Sequence, residues 1–472
     1  MLSRIGIWGH YHGKNLGDDI VVATIAENLR RRLPDVELVG YSLNPVDTAR
    51  RHGFPAYSLL QGTRFPVAVP EGSNGSIDNR SADDESTSSG PAATATSDTG
   101  TGAPAAWSRI RRIVASNRGA LGRVAGRLGD AVRSMWRMRE SLREVDLLIV
   151  AGSGPFFDGW DGPWTHPYNL YRWSQLSRTT GTDFVPLSVG GGPVDEPITQ
   201  FFLRHSLNTS AYKSYRDPHS ATLARSLGAR GPHPIFPDLA FGLSPAVLQE
   251  AHQNARDLSK DDGTLAVGIS TMAHKDPRYM PRGKEDVFSD YLQKMVRVAE
   301  WLIDEGAIPV LLRSSRADDV VAQDIVRALS DRGCDAEAVH VMETETHTDL
   351  LAQMAACDVV VGGRFHCHVL PMMLGVPVLG LAYHPKTSDM MAYMGQAEHC
   401  LDIDRSSASD IIAGVERLIA NRDAVSAAVR ARSNRCRDAV STQYDALVSG
   451  TAGSLDGNYL PESASTPIPV AR

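Results

Sequence analysis

Apolar residues recur along this chain in two rhythms. Short, wholly apolar runs end in glycine or polar loops, and each leads into a longer stretch whose apolar positions fall three and four apart. That is the alternation of buried strand and amphipathic helix. Arg4–Trp8 (RIGIW) reads as a strand, a glycine-containing polar loop opens a helix, and residues 36–41 read as the next strand. A β-α-β order announces a parallel sheet. The run 145–151 (VDLLIVA) is unbroken in apolar character, as a central parallel strand must be, and 184–189 continues the series. After a polar helix and an Asp-Asp-Gly turn between 244 and 263, the rhythm restarts with strands at 265–270, 308–312, 339–341, 359–361 and 378–382, separated by helical stretches. Two rounds of βαβα with a break between them predict an α/β protein of two doubly wound, Rossmann-like domains facing across a cleft. We place the first at 1–250 with an insertion at 62–145, the second at 262–405, helices at 406–448, and an unstructured tail at 450–472.

The insertion breaks the pattern twice. Between 71 and 104 the chain is Ser, Thr, Ala, Gly and Asp with almost no large apolar residue, and such a segment cannot bury enough surface to offset its ordering entropy, so disorder is expected. Residues 107–143 are rich in arginine and contain no lysine, with apolar positions along one face. This segment reads either as a helix packed on its own domain or as a peripheral contact with an anionic membrane or a lipid-linked substrate.

Composition narrows the class. At 472 residues the chain is long for a single core, and its net charge of −7 gives no general case for nucleic-acid binding. Five scattered cysteines without a Cys-x-x-Cys pair read as reduced thiols rather than a zinc site. No apolar stretch approaches the ~18 residues that would span a bilayer, so a cytoplasmic protein, at most peripheral to the inner membrane face, is expected.

Polar groups that could do chemistry collect where strands hand over to helices, the ligand-binding edge of open α/β sheets. Asn15, Gly17, Asp18 and Asp19 lie at the first such turn. One of the two aspartates is expected to cap the helix and the other to face a cleft. The loop is neither GxxxxGK[ST] nor GxGxxG. Gly152 and Gly154 open a loop rich in glycine and aromatics that contains Asp158, and Gly191 belongs to a triple glycine after the following strand. Glycine at successive strand ends lets backbone approach a ligand closely. Arg216 precedes an Asp-Pro helix start capped by Asp217 or Ser220, and Arg364, His366 and His368 follow the 359–361 strand, with Lys386 after the next. His368 reads as structural, and Cys367 as a small buried apolar group.

Together these segments resemble the polysaccharide pyruvyl transferase family: N-x-G-D-D at 15–19, G-x-G at 152–154, S-x-R-D at 214–217, and R-x-H with a downstream G-V-P and Y-x-x-K spanning 364–386. The similarity runs from about residue 4 to 405 apart from the insertion, and its specific part is 362–386. The resemblance implies a GT-B-like fold, phosphoenolpyruvate as donor and a pair of sugar hydroxyls as acceptor, on a polysaccharide or lipid-linked glycan precursor; no metal-ligand cluster is evident in the sequence, and neither metal nor cofactor is expected. Phosphoenolpyruvate carries a carboxylate and a phosphate, both suited to arginine, so Arg216 and Arg364 become donor contacts from the two halves and Lys386 a phosphate contact. His366 is the candidate acid, because imidazole titrates near neutral pH. Asp18, Asp19 or Asp158 is left to take the sugar proton. Two rivals stand beside this reading. One is a GT-B glycosyltransferase using a nucleotide sugar, with Glu343 or Glu345 as ribose clamp. The other is a catalytically silent protein that binds glycan intermediates.

Overall fold

The structure is a computed structural model that describes residues 2–9, 15–60, 65–69, 129–152, 154, 156, 162–256, 258, 263–280 and 283–462. Asp158, residues 71–104 and residues 107–128 therefore lie outside the described residues. Two five-stranded parallel sheets form the frame. The first contains β1 (Arg4–Trp8), β2 (Glu37–Ser42), β3 (Ala56–Ser58), β4 (Leu147–Val150) and β5 (Asp183–Pro186) in the order β3-β2-β1-β4-β5. The second contains β6 (Ala266–Ser270), β7 (Ile308–Leu312), β8 (Val359–Gly362), β9 (Val378–Ala382) and β10 (Cys400–Asp402) in the order β10-β9-β8-β6-β7. The strand expected at 339–341 is a single bridge between Val310 and His340.

Helices cover both faces of each sheet, as parallel strands with two apolar faces require. One face of the first sheet carries α1 (Leu16–Arg32), and α2 (Pro45–His52) follows β2. The opposite face carries α3 (residues 129–142), α4 (His166–Thr180) and α5 (Pro197–Thr209) over a separate apolar cluster that includes Met138, Leu142, Leu170, Trp173 and Leu203. Thus the part of the arginine-rich segment that is described, α3, packs on its own domain through Met138 and Leu142 while Val132, Met135 and Trp136 stay exposed. The chain continues through α6 (Pro218–Ser226) and α7 (Pro245–Gln253) to the second sheet, which is flanked by α8 (Glu285–Asp304), α9 (Arg316–Asp331), α10 (His347–Ala355), α11 (His366–Leu374), α12 (Pro385–Tyr393) and α13 (Ala408–Ala420).

Helix α14 (Arg422–Val448) returns to the first domain. Ser433 Oγ donates to the Met372 carbonyl of α11 (3.1 Å), and farther along Gln443 Nε2 donates to Ser214 Oγ (2.6 Å). Residues 450–462, within the tail expected to be unstructured, pack on the first domain. Ile235 N donates to the Gly457 carbonyl and Tyr459 N to the Ile235 carbonyl, both at 2.8 Å, while the Tyr459 ring stacks on Phe236 with centroids 4.2 Å apart. The aromatic side chain gives this polar segment something to bury, which its Ser/Gly/Pro composition hides.

Each sheet reverses its strand order once, between β1 and β4 and between β6 and β8. Such switch points open crevices at the carboxyl ends of the strands. The segments after β1, β4 and β8 meet there.

Candidate active site

At the first switch point the chain enters α1 through Asn15, whose Oδ1 accepts from Gly17 N (3.2 Å) and whose Nδ2 donates to Asp18 Oδ2 (2.8 Å). Asn15 is therefore the helix cap, and neither aspartate is. The same turn is tied to the second domain, with Leu16 N donating to the Ser314 carbonyl at 2.9 Å and Asn15 bridging Ser315. The two aspartates then part. Asp19 turns to α2, where Arg51 Nη1 and His52 Nε2 each lie 3.6 Å from its carboxylate. Asp18, itself half-buried, joins the buried His366, Arg216 and Asp238. Gly17 is necessary for this meeting, since a Cβ there would overlap the imidazole of His366 at the start of α11.

Arg216 is 5% exposed. Its Nη1 donates to Asp238 Oδ2 (3.0 Å) and to the Gly152 carbonyl (3.3 Å). Nε has no hydrogen-bond partner among the described residues and approaches Asp217 only to 3.9 Å. Gly190 makes room for the guanidinium, which a Cβ at that position would overlap, and Gly154 lies beside Nη2. The Arg216 Cζ stands 4.5 Å from the centroid of the Phe365 ring, and Lys386 Nζ lies 5.8 Å from the same centroid and 5.4 Å from that of Tyr383. Lys386 has no carboxylate partner among the described residues. An aromatic face thus holds two cations beside each other without neutralising either.

The carboxylates are tuned in opposite directions. Burial pushes the Asp18 carboxyl up, and the charges of His366 and Arg216 only partly offset this. Burial acts on Asp238 too, but His366, whose Nε2 is 3.7 Å from its Oδ1, together with Arg216 and the Ala240 N–H, holds it down to about 2. His384, the N-cap of α12, is pushed down to about 4 by burial and by the charges of Lys386, His219 and Arg216, so it is neutral near pH 7. Paired groups whose environments separate their pKa values are the pattern of acid and base assignment.

Arg364 stands one step back. Its Nε donates to both carboxylate oxygens of Asp318 at 2.9 Å and its Nη2 to Asp318 (2.5 Å) and Ser315 Oγ (2.9 Å). Only Nη1 remains without a partner among the described residues. His368 is fully buried, with Nδ1 2.7 Å from the Arg364 carbonyl, and burial pushes its pKa down to about 4. Gly191 belongs to the packing of its loop, because its N donates to Ser220 Oγ (2.8 Å) and it lies against Leu223. The structure therefore brings together Gly17, Asp18, Gly152, Gly154, Arg216, His366 and Lys386. Asp19 and Gly191 face elsewhere. Sequence reasoning missed Asp238, Phe365 and Asp318. Asp238 accepts from Ala240 N (3.0 Å) at the start of a short 3-10 turn and so looks like an ordinary cap, while Phe365 sits openly between two residues already singled out.

The family model for polysaccharide pyruvyl transferase matches residues 15–385, most of the chain and every member of the cluster just described except Lys386, which lies one residue beyond the match. The chain belongs to the polysaccharide pyruvyl transferase family. A search of curated protein sequences finds no match. Among solved structures, UDP-GlcNAc 2-epimerase from Neisseria meningitidis bound to UDP-GlcNAc is similar at 11% identity, covering 95% of this chain and 100% of that one with a TM-score of 0.53. S. aureus MnaA with UDP matches at 9% identity, 95% and 97% coverage and a TM-score of 0.52. Anabaena HepE in complex with UDP matches at 12% identity, 96% and 100% coverage and a TM-score of 0.51. At such identities they establish the fold, which is GT-B-like. For this family member the fold and the transferase class are thus in place.

Proposed function

We propose that the protein moves the pyruvyl group of phosphoenolpyruvate onto two hydroxyls of a glycan or lipid-linked saccharide, forming a cyclic ketal and releasing phosphate. The observation that carries this reading is the grouping of Arg216, Lys386, His366 and Asp18 at the junction of the two domains. In the proposed course, His366 delivers a proton to the methylene carbon and a sugar oxygen attacks the adjacent carbon, losing its proton to Asp18. A second hydroxyl then attacks the same carbon, phosphate leaves with the electron pair of its C–O bond, and the proton of that hydroxyl passes to the now neutral His366. Arg216 and Lys386 contact the donor's two anionic groups, and Arg364 supports them through Nη1 and its field. Asp238, held ionised, orients His366 and neutralises the buried Arg216.

Three neighbours of the same fold are described with UDP or UDP-GlcNAc, which keeps a nucleotide-sugar donor as the second reading. Calorimetric titration with phosphoenolpyruvate and, separately, with UDP decides between them. Binding of phosphoenolpyruvate alone is expected, with Lys386→Ala weakening it about tenfold and His366→Gln leaving it intact while abolishing phosphate release. Binding of UDP with none of phosphoenolpyruvate would overturn the donor assignment.

A further inference from the structure

Half of the large apolar side chains exposed among the described residues belong to one rim of the first domain. Val132 (66% exposed) and Met135 (43%) stand in the N-terminal half of α3 with Trp136 (54%) at its middle, Trp164 (64%) just before α4, and Ile198 (37%) and Phe201 (38%) in the first turns of α5. The three helices are joined side by side. Arg172 Nη2 of α4 donates to Ser134 Oγ of α3 (3.4 Å), and Tyr171 and Phe201 join α4 to α5 with ring centroids 5.8 Å apart. A crossover helix runs antiparallel to the parallel strands it connects, so the N-terminal ends of all three lie at the carboxyl edge of the sheet. That is the edge holding Gly152 and Gly190, beside Arg216.

The charge of these helices opposes that of the chain. They contain Arg133, Arg137, Arg139, Arg172, Arg178 and Arg204 against Asp130 and Glu140, in a protein of net charge −7; Arg133, Arg137 and Arg172 are the arginines towards the rim, where Asp195 and Glu196 are also exposed just before α5. Exposed tryptophan, methionine and aliphatic groups flanked by arginine match a bilayer interface, where the apolar groups enter the acyl boundary and the guanidinium groups meet anionic headgroups. No helix among the described residues is long and apolar enough to cross a membrane.

We infer that the rim formed by the N-terminal halves of α3, α4 and α5 docks on an anionic lipid bilayer. Contact there sets the mouth of the interdomain cleft beside the headgroups, where a lipid-linked acceptor is presented. The docking itself does not rest on the pyruvyl-transfer reading, because its test reads no turnover. The full chain is floated with vesicles of phosphatidylcholine alone and of phosphatidylcholine with phosphatidylglycerol. Recovery with the anionic vesicles only, falling as salt is raised, is the expected result. M135E/W136E and, separately, W164E should each weaken recovery about tenfold or more, with circular dichroism unchanged for both and melting temperature unchanged for M135E/W136E, whereas W164E also gives up ring contacts with Tyr168 and Phe202. Equal recovery on both vesicles, undiminished recovery of the variants, or a concentration-dependent dimer that the variants dissolve would overturn the inference. The last outcome would assign the rim to a second copy of the chain.

Discussion

Asp18 and Asp238 are two carboxyls around one imidazole, and burial treats them differently because only Asp238 accepts from a guanidinium and a backbone N–H. A carboxyl raised by burial is a stronger base once ionised, so the acid limb of kcat/KM should reflect Asp18 and lie above the ordinary aspartate range. Activity should rise with pH through that limb. Asp18→Asn should lower kcat by about 100-fold or more and remove the limb, as a pH–rate profile would show. Stability responds with the other sign at Asp238. Its folded pKa of about 2 lies below the ordinary 3.8, so its contribution of about 2 kcal/mol is fully present above the unfolded value and lost as pH falls from about 4 to about 2. Asp238→Ala leaves the buried Arg216 without its main partner and should cost about 3–5 kcal/mol at neutral pH in urea unfolding, with R216M in the same chain recovering part of the loss. At this scale the sequence marked His366 and Arg216 as reactive but could not separate Asp18 from Asp19. Adjacent helical positions point about 100° apart, and which of them meets the cleft depends on α2, whose Arg51 and His52 claim Asp19.

The Arg364–Asp318 pair shows how an element can occupy a residue that looks reactive. Asp318, in the first turn of α9, is fully buried. It accepts from Ser314 N (3.1 Å), Ser315 N (2.9 Å) and the Arg364 guanidinium, so one carboxylate fixes the β7–α9 turn and the β8–α11 turn together. Removing it leaves a buried cation and two backbone donors unpaired. Asp318→Ala should therefore cost about 3–5 kcal/mol in denaturant unfolding, while Ser315→Ala, which removes one hydrogen bond to the same guanidinium and the hydroxyl half of the capping box of α9, should cost only about 2 kcal/mol. Near-equal losses would mean that the ion pair does not organise the turn. The central strands and long helices were legible from apolar period alone. Short edge strands β3 and β10 and the eight-residue α2 were not, since AYS and CLD make no unbroken apolar run like those of the central strands, two helical turns are too short to show a period, and tertiary pairing decides them.

At the scale of the molecule, the cleft depends on elements far from it in sequence. Paired βαβ rhythms revealed two sheets, but not that α14 would cross both domains, because a long amphipathic helix names no partner. Nor did composition reveal the segment that follows it. Residues 455–460 lie beside Ile235 and Phe236, two residues before Asp238, and so brace the strand-like stretch that carries the carboxylate beside His366. Deleting residues 455–472 removes the two backbone hydrogen bonds to Ile235 and the Phe236–Tyr459 stack. Each contributes about 0.5–1.5 kcal/mol, for a combined loss of about 3 kcal/mol. A purely global effect would lower the urea midpoint and leave the surviving folded protein fully active. The geometry favours a local one as well. With Phe236 released, Asp238 should hold His366 and Arg216 less firmly, and kcat for phosphate release should drop at temperatures well below the melting transition. Tyr459→Phe keeps the stack and should behave as the parent protein, whereas Tyr459→Ala should reproduce most of the deletion. Unchanged kcat in the deletion at low temperature would detach the tail from the site and leave it as a stabilising strap alone.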